Sequence, residues 1–269
     1  MPVSFAAHTA TPFRLGLTPV FLDNDAEILD AMRLALSQTM GTDIILKQRR
    51  TYQEVTGLLL EGSVDAAWLC GFPYLQHQQE LSIIGVPVWR GKPQYQSYLI
   101  TGAGDDAATL ADLRGGVHAF SDPDSNSGYL VTTADLSQLG FRPDAFFSRT
   151  IFTYGHRNVV RAVASGLARS GSVDGYVWEA LATIEPELTK RTRVIAKSEW
   201  DGFPPFVAKL EKQNTPQLQS FKQTLLSLHT SKPGKAVLAM LQLDRIEPAP
   251  SGAFDSIAAR IKRLQSADE

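Results

Sequence analysis

The segment Ser121-Asp122-Pro123-Asp124-Ser125-Asn126-Ser127-Gly128-Tyr129 gathers short hydrogen-bonding side chains between a strand pattern and a helix pattern. A turn of this make-up can hold an anion. The first N–H groups of a helix have no internal partner, and the aligned peptide dipoles make that end partly positive. Ser125 and Ser127 add hydroxyls, Asn126 an amide, and Gly128 lets the backbone approach closely. Ser, Asn and Asp are also the ordinary helix-capping residues, so a plain N-cap reads the same way.

An internal echo bears on that choice. Gly62-Ser63-Val64-Asp65-Ala66-Ala67-Trp68 recurs as Gly171-Ser172-Val173-Asp174-Gly175-Tyr176-Val177-Trp178, each after an apolar helix and each leading toward a short apolar strand. Two halves on one plan are implied, with ligands expected outside the carboxyl ends of the strands.

Strand patterns alternate with amphipathic helices along the chain. Strands are expected at Phe13 to Leu17, Asp43 to Gln48, Ala66 to Leu69, Leu81 to Val88, Tyr95 to Thr101, Val117 to Phe120, Phe147 to Phe152, Gly175 to Val177 and Thr192 to Ala196. Helices fall between them and after Pro216. Gly102-Ala103-Gly104-Asp105-Asp106 and Trp200-Asp201-Gly202-Phe203-Pro204-Pro205 break the pattern and are read as two crossings between lobes. This gives an α/β chain with one lobe from 11–102 plus 205–269 and a second from 103–204, able to close on a ligand by hinge motion.

Composition narrows the partners. With 269 residues, 43% hydrophobic and 20% charged, each lobe can bury a core. A net charge of −2, with no polybasic run, argues against nucleic acid and anionic membranes. No apolar run approaches the ~20 residues needed to cross a bilayer, so the chain is not expected to be membrane-inserted. Ser4-Phe5-Ala6 could close a signal-peptide cleavage site whose basic and apolar parts are missing, which fits a periplasmic protein; an unstructured cytoplasmic start looks the same. The single cysteine, Cys70, allows no internal disulfide.

Taken together, several segments resemble the substrate-binding proteins of phosphate, phosphite and phosphonate ABC transporters, of the type 2 periplasmic binding protein fold. They are Thr51-Tyr52, Asp65 to Gly71, Gly91-Lys92-Pro93 leading to Tyr95-Gln96-Ser97-Tyr98, the Asp122 to Tyr129 turn, Gly155-His156 and Val173 to Glu179. The resemblance implies two lobes, a central cleft and two hinge crossings. It places the ligand's oxygens on Ser125, Asn126 and Ser127, with Asn126 standing where a threonine is more usual; Gly128 joins them as a candidate through its close backbone approach. By the same resemblance Tyr52 and Tyr95 reach the ligand from the first lobe and His156 from the second. Those residue types suit the task, since tyrosine offers one oriented O–H and histidine an N–H. Tyr95 and Tyr52 could instead be packing residues.

Relatives with aminoalkyl ligands place carboxylates near Tyr176 and Glu179, and both are candidates. Asp174 echoes Asp65, and a structural turn role suits both; Trp178 echoes Trp68 and suits the core. Cys70-Gly71 resembles the position used by the arsenite-binding sensors of the same family. Arsenous acid is uncharged at neutral pH, and a thiolate suits trivalent arsenic, so Cys70 is the arsenic ligand if arsenite is bound. A small apolar residue at a buried strand end reads the same way.

The reading is a receptor for a small oxyanion, delivering it to an ABC permease or signalling to a membrane sensor kinase, with no metal and no cofactor. The alternative is a hydrolase or transferase using His156 with Ser125 or Ser127, or with Cys70. No nucleophile elbow, phosphate-binding glycine loop or metal-spaced His/Cys cluster supports catalysis.

Overall fold

The computed structural model describes residues 11–19 and 26–267. The expected cleavage site at Ser4 to Ala6 lies outside the described residues. Among the described residues thirteen strands form: β1 (Phe13–Leu17), β2 (Ile44–Gln48), β3 (Ala66–Trp68), β4 (Leu81–Val88), β5 (Gln94–Tyr95), β6 (Ser97–Gly102), β7 (Val117–Phe120), β8 (Arg149–Phe152), β9 (Ser170–Asp174), β10 (Thr192–Lys197), β11 (Asp201–Gly202), β12 (Phe206–Lys209) and β13 (Arg245–Glu247). They make two main sheets, one per lobe. The first has the order β13-β4-β12-β3-β1-β2 and the second β10-β6-β9-β7-β8.

The two sheets share one plan. In each, a central strand (β1 or β7) is flanked by two parallel partners, and one strand runs antiparallel beside the third (β12 on β3, β6 on β9). That antiparallel strand is the one by which the chain enters from the other lobe. Parallel strands covered by helices on both faces read as continuous apolar runs, and the consecutive Ala66, Ala67 and Trp68 of β3 are all buried. The crossings themselves pair as a two-stranded ribbon, β5 with β11, where Tyr95 stands opposite Asp201.

Two helix starts follow from local chemistry. Thr51 caps helix Tyr52–Leu60 through a reciprocal capping box with Glu54, and Val55 and Leu59 bury the inner face. Asp174 caps helix Gly175–Ile184, its carboxylate accepting from the Tyr176 and Val177 amides. Both carboxylates sit at the positive end of a helix.

Sheet pairing corrects three expectations. β6 belongs to the second sheet, so the first crossing lies at β5 and Gln96; Gly102 to Asp106 is a turn within the second lobe, and the boundary at 102/103 moves back accordingly. Gly175 to Val177 is the first turn of a helix, because Asp174 terminates β9 and supplies the cap. The echo falls on topologically equivalent strands but out of register: its Gly-Ser-Val-Asp precedes β3, whereas it forms most of β9. Asp65 therefore meets Arg14 at 2.8 Å, while Asp174 caps a helix. Trp68 is buried against Phe206, whereas Trp178 is only half-buried on a helix.

Candidate ligand-binding site

The carboxyl ends of the parallel strands of the two sheets face one another, and the candidate residues stand on them. Tyr52 opens the helix after β2, and His156 opens the helix after β8. These are equivalent positions in the two lobes. The Tyr52 hydroxyl and His156 Nε2 meet at 3.2 Å across the cleft, both residues almost wholly buried. The lobes are therefore closed.

The proton on His156 can be placed. Its Nδ1 accepts the Asp174 backbone N–H at 3.0 Å, so the neutral ring carries hydrogen on Nε2 and donates toward Tyr52. Burial lowers His156 to about 3, which keeps the ring neutral. The Tyr52 oxygen accepts that hydrogen and keeps its own O–H for another acceptor. Burial also pushes the Asp174 carboxyl up to about 7, against the two amides that hold its charged form.

The Ser121–Tyr129 turn opens with one wide helical turn, Leu130 N bonding Ser125 O at 3.0 Å across five residues, and continues as helix Val131–Gln138. Ser125 Oγ accepts the Gly128 N–H at 2.9 Å, and the Ser127 carbonyl is held by Ser97 Oγ at 2.6 Å. Glycine is required at 128, where a Cβ would lie 1.8 Å from Ser121 Oγ and 3.0 Å from His156 Cε1. Ser121 Oγ is buried without a hydrogen-bond partner among the described residues.

Asn126 sits in this turn with its amide already saturated. Nδ2 donates to Tyr95 Oη at 3.0 Å and to Asp201 Oδ2 at 2.8 Å, while Oδ1 accepts from Arg260 Nη1 at 2.9 Å. Only its backbone N–H points elsewhere, to Cys70 Sγ at 3.3 Å. The side chain thus anchors the turn instead of offering donors to a ligand. Burial raises Cys70 to about 12 despite the amide and hydroxyl donors around its sulfur, so the thiol is protonated at neutral pH.

Of the candidates, Tyr52, Cys70, Tyr95, Ser125, Asn126, Ser127, Gly128 and His156 gather in this buried cluster. Two stand apart in their contacts. Tyr176 donates to the Leu241 carbonyl at 2.5 Å with its ring against Trp89 and Phe203, and Glu179 accepts from Tyr98 Oη at 3.0 Å and from Arg90. For the enzymatic alternative, both His156 nitrogens are bonded to Tyr52 and Asp174, and neither to a serine or cysteine.

Sequence reasoning did not single out Asp122, Asp201 or Arg260. Asp122 accepts the Tyr52 N–H across the lobes at 3.1 Å. Arg260 is 3% exposed and Asp201 0%, paired at 3.1 Å. The available signal was the arginine on the apolar stripe Phe254, Ile257, Ile261, Leu264, where a solvated charge does not belong.

Two lobes joined by a paired double crossing and closed on a buried cluster of hydrogen-bonding side chains define a type 2 periplasmic binding protein. The chain belongs to the family described as "ABC transporter, phosphonate, periplasmic substrate-binding protein", whose model matches residues 15–251. It is 27% identical over 175 residues to the phosphate-import protein PhnD of Mycolicibacterium smegmatis, a match covering 60% of this chain and 54% of that protein, about half its length. Among solved structures, a binding protein component of an ABC phosphonate transporter from Pseudomonas aeruginosa superposes with a TM-score of 0.87 at 21% identity, covering 96% of this chain and 87% of that one. PhnD1 from Prochlorococcus marinus, in complex with methylphosphonate, gives 0.82 at 19% identity, covering 94% and 98%. No described helix is long and apolar enough to cross a membrane.

Proposed function

We propose that this protein is a periplasmic receptor that closes its two lobes, hinged near Gln96 and Asp201, over a small phosphorus oxyanion and presents the closed form to an ABC permease. One observation carries the reading: the orientation of His156 by the Asp174 amide, which turns a neutral ring into an Nε2 donor facing Tyr52 beside the Ser125–Gly128 turn. Tyr52, Tyr95, Ser127 and His156 are the ligand's partners in this reading, with Ser125 and Gly128 shaping the turn. Phosphate import and methylphosphonate binding by the relatives point the same way.

Arsenite is the less favoured ligand, because the thiolate it calls for is disfavoured by burial at Cys70. Glu179 and Tyr176 are already engaged by Arg90, Tyr98 and Leu241, which favours a phosphonate lacking an ammonium group. The test is calorimetry and thermal shift with phosphate, phosphite, methylphosphonate, sulfate, arsenate and arsenite, since a ligand of the native state raises its melting temperature. Stabilisation by a phosphorus oxyanion is expected. Stabilisation by arsenite alone, lost in Cys70→Ser, would reverse the choice.

A further inference from the structure

A separate cavity of about 680 Å³ opens between the lobes. It starts where the buried cluster ends: Arg50 stands two residues before Tyr52, and Arg157 directly follows His156. Of its eleven described lining residues, four are arginines, with Arg49 and Arg50 from the first lobe and Arg157 and Arg161 from the second. Glu54 is the only carboxylate among the described lining residues, and it is committed to the Thr51 N–H and hydroxyl, each at 3.0 Å.

The arginines are incompletely satisfied. Arg157 pairs with Glu185, yet its Nε is buried without an acceptor among the described residues. The Arg50 guanidinium lies 4.8 Å over the ring of Tyr154, a residue held at φ 53, where side chains other than glycine are uncommon. This positive patch occurs in a chain whose formal charge is −2. Each lobe contributes one half of it. Closing the lobes brings like charges together, which opposes closure unless an anion lies between them.

We propose that this cavity is an outer anion site, which captures the oxyanion ahead of the inner site. It rests on the reading that the ligand is anionic. Phosphate or methylphosphonate, whichever binds, is captured first by the arginine rim. Loss of rim charge then slows association and leaves dissociation unchanged. Electrostatic capture of this kind raises association rates by 10- to 1,000-fold and weakens steeply with salt.

The experiment is stopped-flow association followed by tryptophan fluorescence, Trp200 at the return crossing being 39% exposed and packed on Lys92. Wild type, Arg49→Gln/Arg161→Gln and Arg33→Gln are compared from low to high ionic strength. Arg33 is an exposed arginine on another helix, outside the cavity. The double variant should associate about tenfold more slowly at low salt and lose most of the salt dependence, with a dissociation rate within twofold of wild type. Arg33→Gln should behave as wild type. Salt-insensitive association in wild type, an equal slowing in Arg33→Gln, or a double variant altered only in dissociation would each overturn the outer site while leaving the inner one standing. Absence of any phosphorus-oxyanion binding to wild type would remove the functional reading, and this proposal with it.

Discussion

Replacing Arg260 with methionine tests whether the hinge and the binding turn are held by one buried ion pair. Asp201, 0% exposed, accepts from Arg260, from Asn126 Nδ2 and from Ser256 Oγ at 2.6 Å. Removing the guanidinium leaves a buried carboxylate with hydroxyl and amide donors but no countercharge, and strips Asn126 Oδ1 of its donor. Breaking one side of a buried pair costs about 3–5 kcal/mol. The lost amide contact, about 1–3 kcal/mol alone, belongs to the same network and does not simply add. We therefore expect Arg260→Met to lower unfolding free energy by about 3–5 kcal/mol in urea titration, at an unchanged slope. Adding Asp201→Asn should recover part of it, because the stranded charge is gone. The Asn126 backbone would also lose its anchor, weakening oxyanion binding about tenfold by calorimetry, or about 1.4 kcal/mol. A loss below about 1 kcal/mol, or a double variant no more stable than the single, would show that the pair does not hold the turn.

Three further outcomes follow from the same geometry. Tyr52→Phe removes one hydroxyl aimed at a charged ligand, which should raise Kd by about 10- to 150-fold, and it leaves the buried His156 Nε2–H without its acceptor, which should cost about 1–3 kcal/mol of stability. Gly128→Ala should abolish binding and destabilise the fold by about 1–3 kcal/mol, since the new methyl meets Ser121 and the His156 ring; unaltered binding would mean that the turn can shift. In pH dependence, His156 and His118 are lowered to about 3 by burial, so each adds stability that is lost as pH falls below its unfolded value near 6.5. Asp174, raised to about 7, acts oppositely and removes stability as pH rises from about 4 to about 7. Asp174→Asn should therefore steepen the rise of stability between pH 4 and 6.5 in denaturant titrations, and an unchanged slope would contradict a buried, raised carboxyl.

Residues whose role is set locally were legible in the sequence. The Ser121–Gly128 turn, the Thr51 cap and the polar start at Gly155-His156 each follow from short-range backbone chemistry, and each stands at a strand's carboxyl end. What depends on contacts distant along the chain was not legible. Asn126 looked like a ligand donor because its partners, Asp201 and Arg260, lie 75 and 134 residues away. β6 looked like the end of the first lobe because an apolar strand carries no mark of the sheet it joins. Tyr176 and Glu179 were drawn toward the ligand by their place after the echo, yet the helix begun at Gly175 turns them toward Leu241, Tyr98 and Arg90.

The shared sheet plan explains why a tyrosine and a histidine oppose each other here. The helices beginning at Tyr52 and His156 follow corresponding strands, β2 and β8, so closing the lobes brings two helix starts together. Both are electropositive ends, and a cationic side chain on either would be doubly disfavoured by burial and by the dipoles. A tyrosine hydroxyl and a neutral imidazole avoid that cost while still offering hydrogens. Asp122 and Asp174 complete the arrangement by holding backbone amides: Asp122 Oδ2 accepts from Tyr52 N and its Oδ1 from Asp124 N, and Asp174 Oδ1 accepts from both Tyr176 N and Val177 N. On the proposed reading, the selectivity of the inner site rests on hydrogen-bond complementarity, and the charge that attracts an anion lies on the arginines outside.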